Sequence, residues 1–79
     1  MTNYNFILGS TEFNAVQKGD CTIITSVKDG SKIEQTIDFV FNIYNNKGLL
    51  LLKTKNIEEV LDKYTKLGIA IEKFLNGEV

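Results

Sequence analysis

The chain has 79 residues, a net charge of −1 at pH 7, nine lysines, one cysteine, and neither histidine nor arginine. It therefore lacks the usual general acid or base near neutral pH, the commonest metal ligand, and the preferred bidentate clamp for phosphate and carboxylate. One cysteine can form neither an internal disulfide nor a thiolate metal cage. The composition argues against an enzyme, a bound metal and a cofactor, and the small net charge gives no long-range attraction to nucleic acid or to an anionic membrane.

The length and the hydrophobic content of 43% predict one small globular domain over residues 1–79. The longest apolar run, Leu49–Leu52, is far shorter than the ~20 residues of a membrane span. No basic segment precedes the short apolar run Phe6–Leu8, so we expect no signal peptide. Together with the single cysteine, this predicts a cytoplasmic protein.

The first twenty residues give the weakest structural signal. Tyr4–Leu8 resembles a strand. Residues 10–18 fit either a short helix capped by Ser10, with Phe13 and Val16 on one face, or a second strand. The mixed propensities slightly favour the strand.

Three strand-like segments follow, over residues 21–28, 32–44 and 49–55, separated by turn signals at Asp29-Gly30 and at residues 45–48. Strict alternation through the middle segment leaves Asp38 facing solvent. The apolar face of that segment is predicted to hold Ile33, Ile37, Phe39, Phe41 and Ile43.

The loop at Asp29-Gly30 decides which face of the first of these segments is buried, because a slip of one residue reverses every side chain. A three-residue loop places Cys21, Ile23 and Val27 on the same face as Ile33, whereas a two-residue loop places them opposite. We expect the three-residue loop, with Cys21 as a small buried hydrophobic residue rather than a nucleophile.

Helical spacing of apolar residues predicts one long C-terminal helix over residues 57–75. Asn56 is the expected N-cap, with Glu59 completing a capping-box pattern, and Asn76-Gly77 is a termination signal. Gly68 lies on the buried stripe and is expected to permit a close approach to the sheet. The stripe consists of Ile57, Val60, Leu61, Tyr64, Leu67, Gly68, Ile71, Phe74 and Leu75.

These elements predict an α+β fold in two layers: a small antiparallel sheet of three to five strands packed on one long C-terminal helix. More apolar residues remain than one buried face requires. We expect them to form a partner-binding surface on the second face of the sheet and on the helix, made of Ile24, Val40, Tyr44, Leu49, Leu51 and Ile69. Residues 4–18 folding over this face are the alternative.

Lysines cluster on the predicted strands and turns, and with an aromatic residue among them they suggest binding of single-stranded nucleic acid. Lysines at sheet edges also serve simply to prevent aggregation. The set is Lys28, Lys32, Tyr44, Lys47, Lys53 and Lys55.

By elimination, the sequence predicts a non-enzymatic protein-interaction module that acts as a homodimer, with nucleic-acid binding as the alternative. Its richness in lysine, asparagine and isoleucine is typical of an AT-rich coding genome. That composition fits an accessory protein of a phage or mobile element that regulates or inhibits a host factor.

Overall fold

Six strands form a single antiparallel sheet, and two helices follow it. The computed structural model describes residues 2–79, with side chains from Asn3 onward. The elements are β1 (Thr2–Leu8), β2 (Thr11–Lys18), β3 (Cys21–Ser26), β4 (Lys32–Gln35), β5 (Phe41–Tyr44), β6 (Leu50–Thr54), α1 (Ile57–Lys63) and α2 (Thr65–Leu75). The spatial order of the strands is their order in the chain. The prediction of three to five strands on one long helix is therefore wrong in the number of strands and in the number of helices.

The N-terminal residues belong to the sheet. β1 and β2 pair along their full length around a tight turn at Gly9-Ser10, with Leu8 opposite Thr11. The preference for a strand over residues 10–18 is confirmed. Because residues 4–18 extend the sheet sideways, they do not fold over its second face.

The core lies between one face of the sheet, called here the inner face, and the two helices. Ile24, Ile33 and Ile43 are opposite one another on three adjacent strands, and each is fully buried. From the helices, Val60 and Ile71 are buried in the same cluster. Burial of such side chains contributes ~1.5–3 kcal/mol each, so this cluster makes a large contribution to stability.

Aromatic rings close the core at the β1 edge. Phe6 stacks on Phe13 with 5.6 Å between ring centroids, and Phe74 of α2 lies 6.2 Å from Phe6 and 6.0 Å from Tyr4. The end of α2 is thereby held over β1.

The β3–β4 connection differs from the expected three-residue loop. Ile24 pairs with Ile33, and the backbone N–H of Ser26 donates to the Ser31 carbonyl at 2.8 Å, so the loop has four residues. This register buries Ile24 and leaves Cys21, Ile23 and Val27 off the core face, contrary to prediction. The Ser31 hydroxyl and backbone N–H donate to Asp29 at 2.7 and 2.9 Å, which orders the turn and lowers the pKa of Asp29.

The predicted strand over residues 32–44 is in fact a hairpin. Its turn is built on Thr36, whose carbonyl accepts from the Phe39 N–H at 2.9 Å and whose hydroxyl accepts from the Val40 N–H at 3.2 Å. Phe39 has φ +59°, in the left-handed region. Ile37 and Phe39 are 61% and 66% exposed, so their predicted place in the core is wrong, whereas Ile33 is buried as expected.

The single predicted helix is interrupted at Tyr64, where φ is −135° and ψ is 63°. Asn56 caps α1 by accepting the Glu58 N–H at 3.0 Å, as predicted. Glu59 instead pairs with Lys63 at 3.2 Å along the exposed side of α1. Because both helices bury their apolar sides on the same sheet, the apolar stripe continues through the break.

Gly68 allows the two helices to approach each other closely. A Cβ placed at Gly68 would lie 2.9 Å from Leu61 Cδ2, 3.1 Å from Leu61 Cα and 3.2 Å from Leu61 N. The close contact predicted for this glycine exists, but it is made with α1 and not with the sheet.

Candidate partner-binding surfaces

The outer face of the sheet, opposite the helices, carries a ladder of polar side chains. Asn14 Nδ2 lies 2.7 Å from the side-chain oxygens of both Asn3 and Asn5. Further across the sheet, Asn42 donates to Glu34 at 3.2 Å. These side chains satisfy one another, but Val16 and the directly opposite Ile23 lie half-buried on the same face. The second face therefore mixes polar and apolar side chains and is not the continuous apolar surface expected from the sequence.

The six residues predicted to bind a partner do not form one surface. Ile24 is fully buried in the core and is not accessible to a partner. Val40 is half-buried in the β4–β5 turn, and Tyr44 is half-buried on the outer face with Lys32 Nζ 5.9 Å from its ring centroid. Only Leu49 and Leu51 of this set lie side by side.

Leu49, Leu50 and Leu51, called here the leucine edge, are the main exposed apolar cluster associated with a strand. Their exposed fractions are 62%, 47% and 44%. Leu49 precedes β6, the last strand of the sheet, and Leu50 and Leu51 are its first two residues, while the fourth leucine, Leu52, packs against the core. Alternation predicted two leucines facing away from the helix. Three are exposed because a β-bulge shifts the register: Tyr44 pairs with Leu50, but Ile43 pairs with Leu52.

Ile69 lies apart from the leucine edge, on α2. It is 36% exposed and lines a groove of about 360 Å³ between the β1–β2 turn and α2. The remaining lining residues are Leu8, Gly9, Ser10, Thr11, Phe13 and Lys66. This groove is open and shares no residue with β6.

A second exposed apolar cluster is the tip of the β4–β5 turn, formed by Ile37 and Phe39. Sequence reasoning missed it because nothing at residues 36–40 matches a turn pattern based on glycine, proline or asparagine. A residue other than glycine in the left-handed region is strained by ~1–2 kcal/mol. The exposed Phe39 ring offsets little of this strain by packing.

We predict that Phe39→Gly raises the free energy of unfolding by about 0.5–1 kcal/mol, because glycine adopts a positive φ without strain although it is more flexible when unfolded. Urea denaturation measures the difference. Ile37→Gly, at an exposed neighbouring position whose φ is not positive, is the control and should be destabilising. A loss of stability in Phe39→Gly equal to that of the control would contradict the strain argument.

The structure disperses the lysines proposed for nucleic-acid binding. Lys28 and Lys47 lie in turns at one end of the sheet, and Lys55 follows β6 at the other end. Lys32 and Lys53 share the outer face with Tyr44. The acidic Glu34 lies beside Lys32 on β4 and in the same cross-strand row as Lys53. The lysines therefore form no continuous basic track.

Cys21 begins β3 opposite Lys18 and is half-exposed, not buried as expected. Within residues 2–79, no three cysteine or carboxylate side chains converge in a way that could hold a metal ion. Of the helices described, neither has the length and apolar character needed to cross a bilayer.

Comparison of the chain with protein-family models, with curated protein sequences and with solved structures finds no match. Function is therefore inferred from the exposed surfaces of the molecule.

Proposed function

We propose that this protein is a non-enzymatic protein-interaction module that works as a homodimer through the leucine edge. The observation that carries the proposal is the exposure of three consecutive leucines beside an edge strand. Contiguous apolar surface on a small protein is usually a binding site, and an edge strand is a ready template for pairing. A chain without histidine and arginine also favours binding over catalysis.

A thin core makes association favourable for a chain of this size. A domain of 79 residues buries only about 60% of its unfolded surface, so the area added by a second copy is a large relative gain. Two-fold dimers are the commonest way to achieve this. The net charge of −1 produces little repulsion between two copies.

We expect a dimer that dissociates in the micromolar range, and Leu51→Lys should weaken it by about tenfold or more, because a charge would be buried in the contact. Sedimentation equilibrium over a series of concentrations measures the dissociation constant. Leu51 is 44% exposed, so the monomer should keep its fold, which far-UV circular dichroism verifies.

Ile7→Lys is the matched control, because Ile7 is a 66% exposed aliphatic residue on β1, at the opposite edge of the sheet. It should leave the dissociation constant unchanged. A monomer at every concentration, or equal weakening by both substitutions, would overturn the proposal.

The proposal places the protein in the cytoplasm, where its single thiol would stay reduced. Regulation or inhibition of a host factor, as an accessory protein of a phage or mobile element, stays a prediction from composition. Binding of single-stranded nucleic acid also stays a prediction, and the dispersed lysines make it the weaker candidate.

A further inference from the structure

We propose that two copies pair through β6 as antiparallel strands, with the two-fold axis at Leu52, to form one continuous twelve-stranded sheet. This inference rests on the proposed function and assigns the geometry of the same contact. β6 pairs with β5 on one side, and no strand lies on its other side within residues 2–79. Backbone groups along that side can therefore bond to a second extended strand.

The other edge of the sheet is a poorer candidate for self-pairing. On β1, the outer-face side chains Asn3 and Asn5 are already engaged with Asn14, and on the inner face Phe6 is covered by Phe74 of α2. Pairing of β1 with β6 of another copy would be head to tail, and it would close only in a ring of several copies. Pairing of β6 with itself closes as a dimer and brings together the leucines of both copies.

Side-chain direction and charge select one register. Residues directly opposite each other in a sheet lie on the same face, so the axis must pass at a residue and not between two. An axis at residue 53 would place Lys53 opposite its own copy, and like charges in such a position oppose pairing. An axis at residue 51 would centre the contact on the β-bulge at Leu50-Leu51, where the regular ladder is interrupted.

An axis at Leu52 avoids both conflicts. Lys53 then lies opposite Leu51 of the second copy, so the aliphatic stem of the lysine can cover the leucine while its ammonium group stays in water. The two Leu52 side chains meet at the axis. Because Leu52 already packs against the core, this contact would join the two cores into one apolar layer.

Disulfide trapping tests the register. In a Cys21→Ser background, a Leu51→Cys protein and a Lys53→Cys protein are mixed in equal amounts and oxidised gently, with tags of different mass to identify the products. Directly opposed residues have Cα atoms about 4.5–5.5 Å apart, within the range of a disulfide, whereas diagonal neighbours are about 7–8 Å apart. We expect the mixed disulfide to form at least about tenfold faster than either self-disulfide, the direct pair being within reach and the diagonal pairs outside it.

Asn3→Cys, an exposed position on β1, is the control and should not cross-link. Sedimentation of the same samples before oxidation distinguishes the absence of a dimer from a dimer with a different register. A dimer in which a self-disulfide at residue 51 or 53 dominates, in which Asn3→Cys cross-links fastest, or in which no disulfide forms would overturn the β6 register and leave the homodimer intact. A monomer at every concentration would overturn the homodimer itself.

Discussion

Phe13→Ala is expected to remove about 3–5 kcal/mol from the free energy of unfolding, which is most of the stability of a domain this small. Phe13 is 1% exposed, stacks on Phe6 and lies on β2, which is paired on both sides, opposite Phe6 and Ser26. Removing its ring leaves a cavity that strands paired on both sides cannot close. Urea denaturation monitored by circular dichroism measures the loss.

Phe39→Ala is the matched control, because it removes the same ring from a position that is 66% exposed. We expect its stability to stay within about 0.5 kcal/mol of the parent, as for other surface substitutions. If Phe39→Ala proves as damaging as Phe13→Ala, the β4–β5 turn must be packed, as the alternation in the sequence first indicated.

Gly68→Leu is expected to cost about 1–3 kcal/mol or more, through overpacking between the helices. Even the first carbon of the new side chain would approach the Leu61 backbone to 3.1–3.2 Å, and a backbone cannot rotate away as a side-chain tip can. The gain in helix propensity over glycine, at most about 1 kcal/mol, does not offset this. Thermal unfolding followed at 222 nm is a suitable measurement.

Ile69→Leu is the control for Gly68→Leu, because it places leucine at the adjacent, 36% exposed position of α2. Its melting temperature should be close to that of the parent. Equal melting temperatures for the two variants would mean that α1 can move aside and that Gly68 is not needed for helix contact.

The β4–β5 hairpin shows why a clean pattern can conceal a turn. Odd-numbered residues of β4 pair with odd-numbered residues of β5, as in Ile33 opposite Ile43 and Gln35 opposite Phe41. Odd-numbered residues therefore face the core on both strands. Alternation of period two therefore continues unbroken across the turn. With Phe39 in a position that glycine usually occupies, the turn-favouring Thr36 and Asp38 were too weak a local signal to interrupt the predicted strand.

The β3–β4 register was mispredicted for a different reason. The face of β3 that is buried carries Thr22, Ile24 and Ser26, and is more polar than the opposite face. Counting apolar residues therefore favours the wrong face. Thr22 pairs with Gln35, which is also buried, so polar side chains occupy one end of the inner face. The burial of these polar side chains depends on their partners in neighbouring strands, so it cannot be recognised from the sequence of one strand alone.

The C-terminal region and the leucines were easier to predict. The N-cap at Asn56 and the helical character of residues 57–75 depend on local chemistry, and the structure agrees with them, although it divides the predicted helix in two. Close contact at Gly68 was also expected, but the structure makes it with α1 instead of the sheet. The break at Tyr64 follows no proline or glycine and was not predictable from propensity. The leucine edge was partly predictable, because four consecutive leucines exceed what one buried face of a strand can accept.

Each strand of the sheet pairs with its immediate neighbours in the chain, and this topology bears on how the protein folds. Every hairpin closes a short loop, so little chain entropy is lost before each new row of contacts is gained. Proteins dominated by such local pairings fold faster than sandwiches whose strands come from distant parts of the chain. The sheet can thus grow by adding neighbouring strands, and α1 and α2, the last elements of the chain, are needed to cover its inner face. Until they do, the apolar side of an almost complete sheet is open to other chains, and this is the stage at which misassembly competes with folding.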